Sequence, residues 1–139
     1  MINMISYSSI AKASLKDVWE HFIYKIDNPQ HFVPGVSNII IKEKNDAYVI
    51  RQMVIQMKDG PKNKVVEKIT SVPYHVKFEI IEHPVFTGHV DNFAEFISEK
   101  ETKVTYAMHW KNKATGEMQT NETIIKDAVL KTIAFIEGY

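Results

Sequence analysis

From Val36 to Lys111 the apolar residues recur with a period of two, interrupted by turn signals at Asn45-Asp46, Lys58-Asp59-Gly60-Pro61, Val72-Pro73, His83-Pro84 and Lys100-Glu101-Thr102. This stretch constrains the chain most, because it predicts six consecutive strands whose connections are too short for a parallel crossover. The result is an antiparallel meander. The flanks change period. Residues 2–12 read as one further strand, after which Ser14-Leu15-Lys16-Asp17 offers a hydroxyl cap with a carboxylate three residues on. Leu15, Val18, Trp19, Phe22, Ile23 and Ile26 follow at helical steps, forming a stripe able to bury itself against a sheet. Asn28-Pro29 predicts a short second helix, with Asn28 as cap and Pro29 at the first helical position, ended by Pro34-Gly35. Beyond Trp110 the helical period returns. Asn121, Ile125, Ala128, Thr132, Phe135, Ile136 and Tyr139 share one side of a segment starting near 116–121. This is predicted to be the longest helix, and about 20 residues of it would be roughly 30 Å long, enough to cross the sheet.

Gly and Pro are not pooled in a linker and no internal repeat appears, so residues 1–139 read as one domain. A chain this long buries roughly two thirds of its unfolded surface, so a core forms without metal or disulfide staples. Seventeen basic residues balance seventeen acidic ones, which leaves no long-range field to attract nucleic acid or an anionic membrane. With Cys 0, thiol catalysis and cysteine-ligated zinc are excluded, and the expected location is the cytoplasm. The N-terminus lacks a basic segment followed by an apolar one, and no apolar run approaches the about 20 residues of a membrane span. The sequon Asn121-Glu122-Thr123 is set aside as a chance match.

This order of elements resembles the α+β helix-grip fold of the START and birch-pollen-allergen group, the SRPBCC superfamily, over nearly the whole chain. Ile10-Ala11-Lys12-Ala13-Ser14-Leu15-Lys16-Asp17-Val18-Trp19 is similar to the family's strand-to-helix transition with its helical Trp, and Asn28-Pro29 to Phe32-Val33-Pro34-Gly35-Val36 resembles its second-helix segment. Gly88-His89-Val90-Asp91-Asn92, with Val104-Thr105-Tyr106 and His109-Trp110, is similar to the AtaL-like subgroup. The resemblance implies a bent sheet gripping the last helix around an internal cavity that in many members holds a lipid, steroid or polyketide-like molecule. It implies no single chemistry, since carriers, cyclases, oxygenase domains and chaperone activators share the fold. Fatty-acid-binding proteins, with a similar length and two early helices, are the competing fold; they continue with strands to the C-terminus, where Ala128, Leu130 and Lys131 here favour helix.

Strand parity selects the residues that face such a cavity. In the third strand Val49, Arg51, Met53, Ile55 and Met57 form the apolar set with one exception, and in the fourth Val65, Glu67, Ile69 and Ser71 are the inner set. A loop centred on Asp59 sets Arg51 roughly opposite Glu67. That pair reads either as an exposed cross-strand ion pair or as an anchor for the polar end of a ligand. The later strands contribute Tyr74, Val76, Phe78 and Ile80; then Phe86, Gly88, Val90, Asn92, Ala94 and Phe96; then Val104, Tyr106, Met108 and Trp110. Asn92 and Tyr106 are the polar exceptions, either satisfied within the protein or turned to substrate. Ala128 and Thr132 on the last helix are small enough to leave space. Met53, Met57 and Met108 read as gap-fillers by default, although flexible thioethers also suit a promiscuous cavity, and Trp19 reads as a packing anchor.

His83, His89 and His109 raise a metal or acid-base reading, but no His-Glu-x-x-His helix is present, and parity turns His89 and His109 away from the cavity. No metal is therefore expected. Asp91 and Glu95 share that parity and are expected on a solvated face. Nucleophile elbows, phosphate loops and dinucleotide fingerprints are missing, so no cofactor is expected either. Three functions stay open: binding of a small hydrophobic or amphipathic molecule, a cyclase or isomerase using Tyr106, Asn92 or Glu67 for proton handling, and an interaction module with an exposed apolar patch in place of a void.

Overall fold

The structure, a computed structural model, describes residues 4–56 and 60–138. Expectations placed on Ile2, Asn3, Met57, Lys58, Asp59 and Tyr139 lie outside the described residues. Strand β1 (Ile5–Ala11) leads into helix α1 (Leu15–Asp27), a single 3₁₀ turn at Pro29–His31, and then β2 (Val36–Lys44), β3 (Val49–Gln56), β4 (Lys62–Val72), β5 (His75–Glu82), β6 (Phe86–Ser98) and β7 (Glu101–Asn112) before helix α2 (Glu122–Ile136). The last six strands pair in sequence as a meander and β1 adds itself to β7, giving the antiparallel order β1-β7-β6-β5-β4-β3-β2. The helix-grip architecture is present, and the C-terminal helix removes the fatty-acid-binding alternative.

Local chemistry explains the element ends. Ser14 Oγ accepts from the Asp17 amide at 3.1 Å and so starts α1. Asn28 does not cap the 3₁₀ turn. Its side chain instead donates to the Tyr24 carbonyl at 3.1 Å and closes α1 from behind, while Pro29 starts the turn. Asn121, the sequon residue, is the cap of α2, accepting from the Thr123 amide at 3.1 Å. That helix has 15 residues, shorter than expected, because residues 112–121 form turns and an isolated bridge between Lys111 and Met118. At about 1.5 Å per residue it is roughly 22 Å long, and it packs chiefly on β1 and β7 instead of crossing the whole sheet. Phe135 near its end meets His31 at 4.8 Å and Phe32 at 5.0 Å between ring centroids, tying α2 to the 3₁₀ turn.

Both helices lie on the face that carries Val104, Tyr106 and Met108: Phe22 of α1 meets the Tyr106 ring, and Thr132 of α2 meets its hydroxyl. The buried α1 positions are Val18, Phe22, Lys25 and Ile26, whereas Ile23, expected on the stripe, is 41% exposed. Trp19 is half-buried, edge-on to Tyr74 at 5.7 Å. Three residues of the expected inner sets are also exposed, because Ser71 and Tyr74 flank the β4–β5 turn and Phe96 the β6–β7 turn, past the reach of the helices. A register shift between Val66 and Glu67 buries Val66 as well as Val65. The edge strand β2 is irregular. Its pairing with β3 shifts between Ser37 and Ile40 and again between Ile41 and Glu43, with Asn38 at φ 52°.

Gly88 sits inside β6 at φ +121°, where a Cβ would stand 1.8 Å from the carbonyl oxygen of His109. The two backbones approach that closely only without a side chain. Gly88→Ala is expected to lower stability by about 2 kcal/mol or more, measured by urea unfolding, with its effect confined to the β6–β7 pairing.

Candidate functional site

Strand β3 presents alternate side chains to the helices, and its partner register continues that presentation into β4, where Arg51 lies directly opposite Glu67 and Met53 opposite Val65. Between this part of the sheet, the C-terminal end of α1 and the first half of α2 is a cavity of about 310 Å³. Arg51, Met53, Ile55, Glu67, Phe78, Tyr106 and Met108 of the inward strand positions line it, together with Ala128 of α2. Val90 and Trp110, of the same inner sets, join them. The rim is formed by Pro34, Gln56, Asn121, Thr123 and Asp127, all exposed. Asn92 and Thr132 are fully buried but do not reach the wall, because each is taken up by a neighbour that does.

Arg51 is 1% exposed, so its pairing with Glu67 is not the surface ion pair that one reading expected. Its Nη2 donates to Glu67 Oε1 at 2.6 Å, and its Nη1 donates to the carbonyls of Ile26 at 2.9 Å and Lys25 at 3.3 Å. These carbonyls belong to the last turn of α1, at the negative end of the helix dipole; the Lys25 carbonyl also accepts from the Asn28 amide at 3.2 Å. A rigid guanidinium fork meets a carboxylate and a helix end together, which an ammonium would not do. Its Nε has no hydrogen-bond partner among the described residues, and neither does the indole Nε1 of Trp110. Two buried donors therefore belong to residues of the cavity wall.

Lys25 was not selected from the sequence, since a lysine on a helix reads as part of the solvated face. It is 4% exposed. Its Nζ donates to Asn92 Oδ1 at 2.6 Å and lies over two rings, 4.2 Å from the centroid of Tyr106 and 4.8 Å from that of Phe78. Burial lowers its pKa to about 7, helped by the positive charge of Arg51 and opposed by Glu67. An amine that exchanges its proton near neutrality is thus held at the cavity wall. Tyr106 differs. Thr132 Oγ1 donates to the Ala128 carbonyl at 2.8 Å, so the 2.6 Å contact between the two hydroxyls is donated by Tyr106. Burial also pushes the phenol pKa up, and its single proton is committed to α2.

The histidines lie elsewhere. His83 Nδ1 accepts from the amides of Val85 and Phe86 at 2.9 and 3.0 Å and shapes the β5–β6 turn, its pKa lowered mainly by burial. His89 and His109 face away from the cavity, as parity predicts. Asp91, expected on a solvated face with Glu95, is buried there at 8% exposure, whereas Glu95 is exposed.

The family described as AtaL, acetylaranotin biosynthesis cluster protein L, matches residues 7–138. Among solved structures, the Zhui aromatase/cyclase from Streptomyces sp. R1128 superposes with a TM-score of 0.82 at 12% identity, covering 96% of this chain and 93% of that one. A START superfamily protein from Mycobacterium smegmatis gives 0.69 at 11% identity over 96% and 93% of the two chains. The di-domain aromatase/cyclase StfQ of the steffimycin biosynthetic pathway gives 0.72 at 12% identity, covering 97% of this chain and 51% of that one. At these identities the likeness is one of fold. No curated protein matches the sequence.

Two outcomes follow from the buried charges. Arg51→Met is expected to cost about 3–5 kcal/mol in urea unfolding, because it strands Glu67 and the α1 carbonyls, and Arg51→Met combined with Glu67→Met is expected to cost less than the sum. Lys25 binds its proton up to a pKa of 10.5 when unfolded but only to about 7 when folded. Unfolded chains therefore hold the extra proton between those values, so this residue makes stability rise with pH across that window. Stability curves collected from pH 6 to 10 are expected to show Lys25→Met flattening the slope; an unchanged slope would mean the amine is not buried as described.

Proposed function

The chain belongs to the AtaL family, and on that premise we propose that it binds a small amphipathic molecule in the cavity between its sheet and α2. The observation that carries this reading is the composition of the wall: Met53, Phe78, Met108, Ile124 and Ile125 offer an apolar lining, while Lys25 and the unpartnered donors of Arg51 and Trp110 supply polar points. A volume of about 310 Å³ suits a small ligand, and a mostly apolar wall with a few placed polar groups is what small-molecule sites share. The unpartnered groups are donors, so the fitting molecule carries acceptor oxygens, as carbonyl, hydroxyl or carboxylate groups, on an apolar frame. Aromatic polyketides, fatty acids and steroids all answer to that description. A lined cavity supports this reading over the interaction module, which called for an exposed patch in place of a void.

A second reading is an enzyme of cyclase type. Lys25 favours it, because a cavity amine with a pKa near 7 serves as a proton acceptor or donor at working pH. Glu67 is engaged by Arg51 and Asn92 by Lys25, which weakens them as proton carriers, and Tyr106 has no proton to spare. Two of the superposable structures are named as aromatase/cyclases, which supports asking the question with polyketide-like compounds.

Native mass spectrometry of the chain with a panel of aromatic polyketides, fatty acids and steroids is expected to show a one-to-one noncovalent adduct for at least one class. Ala128→Trp, which projects an indole into the void, is expected to weaken that adduct at least tenfold while the fold is retained by circular dichroism. Lys25→Met is expected to spare binding and remove any turnover if the cyclase reading holds, and to alter binding alone if the chain is a carrier. If no class binds, or Ala128→Trp binds as well as the parent, the proposal fails.

A further inference from the structure

On the face of the sheet turned away from the cavity, three strands bring imidazoles around one carboxylate. His89 and His109 are directly opposite each other across β6 and β7, and Asp91 follows His89 by two residues on the same face of β6. His75 on β5 lies diagonally across from Asp91, which pairs with Lys77. The Nε2 atoms of His89 and His109 stand 3.2 and 3.8 Å from Asp91 Oδ2, and one donor atom from each of these three residues falls within 4.8 Å of the others. His75 Nε2 approaches the second oxygen, Oδ1, at 2.7 Å. The rings of His89 and His109 stack at 4.5 Å with 21° between their planes, and the Nε2 atoms of both face Asp91 Oδ2.

We propose that His89, Asp91 and His109 form a binding site for one first-row divalent transition-metal ion, with zinc as the type ion. Ligands bound to zinc at about 2.0–2.2 Å in a tetrahedron stand about 3.3–3.6 Å apart, so only small movements are needed to bring the three donors to bonding distance. Two imidazole nitrogens and a carboxylate oxygen suit zinc, nickel, copper or cobalt and not magnesium or calcium, which prefer all-oxygen sets. His75 holds the other carboxylate oxygen and is itself fixed by stacking on Phe93 at 4.5 Å, the arrangement of a group that orients a ligand without coordinating. The histidine side chains are each 31% exposed, which leaves the remaining coordination positions to solvent. Lys77 and Glu79, the β5 residues paired with Asp91 and His89, bring one charge of each sign to the rim. The cluster is independent of the cavity reading: nothing in it faces α2.

Titration of the tag-free chain with zinc chloride at pH 7.5, followed by calorimetry, is expected to show one ion per chain with micromolar or tighter affinity. The affinity is expected to fall as the pH is lowered, because protons compete with the ion for imidazole nitrogen. His89→Ala with His109→Ala is expected to abolish binding, Asp91→Asn to weaken it at least tenfold, and His75→Phe to weaken it by roughly 10–100-fold through orientation alone. Glu95→Gln, an exposed carboxylate on the same strand, is expected to leave it unchanged. Should a ligand variant fail to fold, the parent chain still decides the matter: added cobalt is expected to broaden the imidazole NMR signals of His89 and His109 and to spare those of His21 and His31. Binding weaker than millimolar, stoichiometric binding that survives the double variant, or cobalt broadening at His21 or His31 in place of His89 and His109 would each overturn the site.

Discussion

A guanidinium removed from water is tolerated only where every neighbour gives it a reason to stay charged, and in this protein that reason is the end of a helix. Arg51 accepts its burial because Glu67 stands opposite in the ladder and because α1 stops with its carbonyls directed at β3. The placement of α1 over the sheet follows from that contact. With the helix end fixed there, Lys25 in its last turn is carried inside, against Asn92 and two aromatic rings, and the space between α1 and the first half of α2 stays unfilled. Packing alone would have put an aliphatic side chain at position 25. The polar geometry thus sets both the location of the void and the chemical character of its inner end.

Much of this was legible in the sequence because strands report through a strict alternation. Once Val49, Arg51, Met53 and Ile55 are assigned to one face, a loop of defined centre fixes which β4 residues oppose them, and the Arg51–Glu67 pairing follows from counting. Counting does not reveal depth. Whether that pair is wet or dry depends on α1, which approaches from residues 15–27 and leaves no trace in the β3 or β4 pattern. Lys25 is the same lesson on a helix: its position belongs to the buried side, yet lysine at such a step is indistinguishable from a solvated one until Asn92 is seen to receive it. Asp91 went the other way. Its outward parity was correct, but the imidazoles of His75, His89 and His109 roof it over, and a cross-strand cluster from three strands has no single-strand signature. The outliers Tyr74 and Phe96 sit beside hairpin turns, where alternation continues although the covering layer has ended.

Residues 91 and 92 show how much one strand can separate. Consecutive side chains on β6 leave the sheet in opposite directions, Asp91 into the histidine cluster and Asn92 toward the amine of Lys25. Two polar environments with different chemistry therefore share a single stretch of backbone, each shielded from the other by the thickness of the sheet.

The irregular outer strand carries a consequence for how copies of the chain meet. Most of β2 is exposed, including Ile40 and Ile41, and a straight strand of that kind would be an invitation to foreign backbone. The two register shifts and the left-handed Asn38 break its outward row of amides and carbonyls into short runs that no straight partner can match along its length. Lys42, Glu43 and Lys44 add charge beside the breaks. Growth into fibres by edge annexation is thereby discouraged at the side of the sheet where apolar side chains would otherwise promote it.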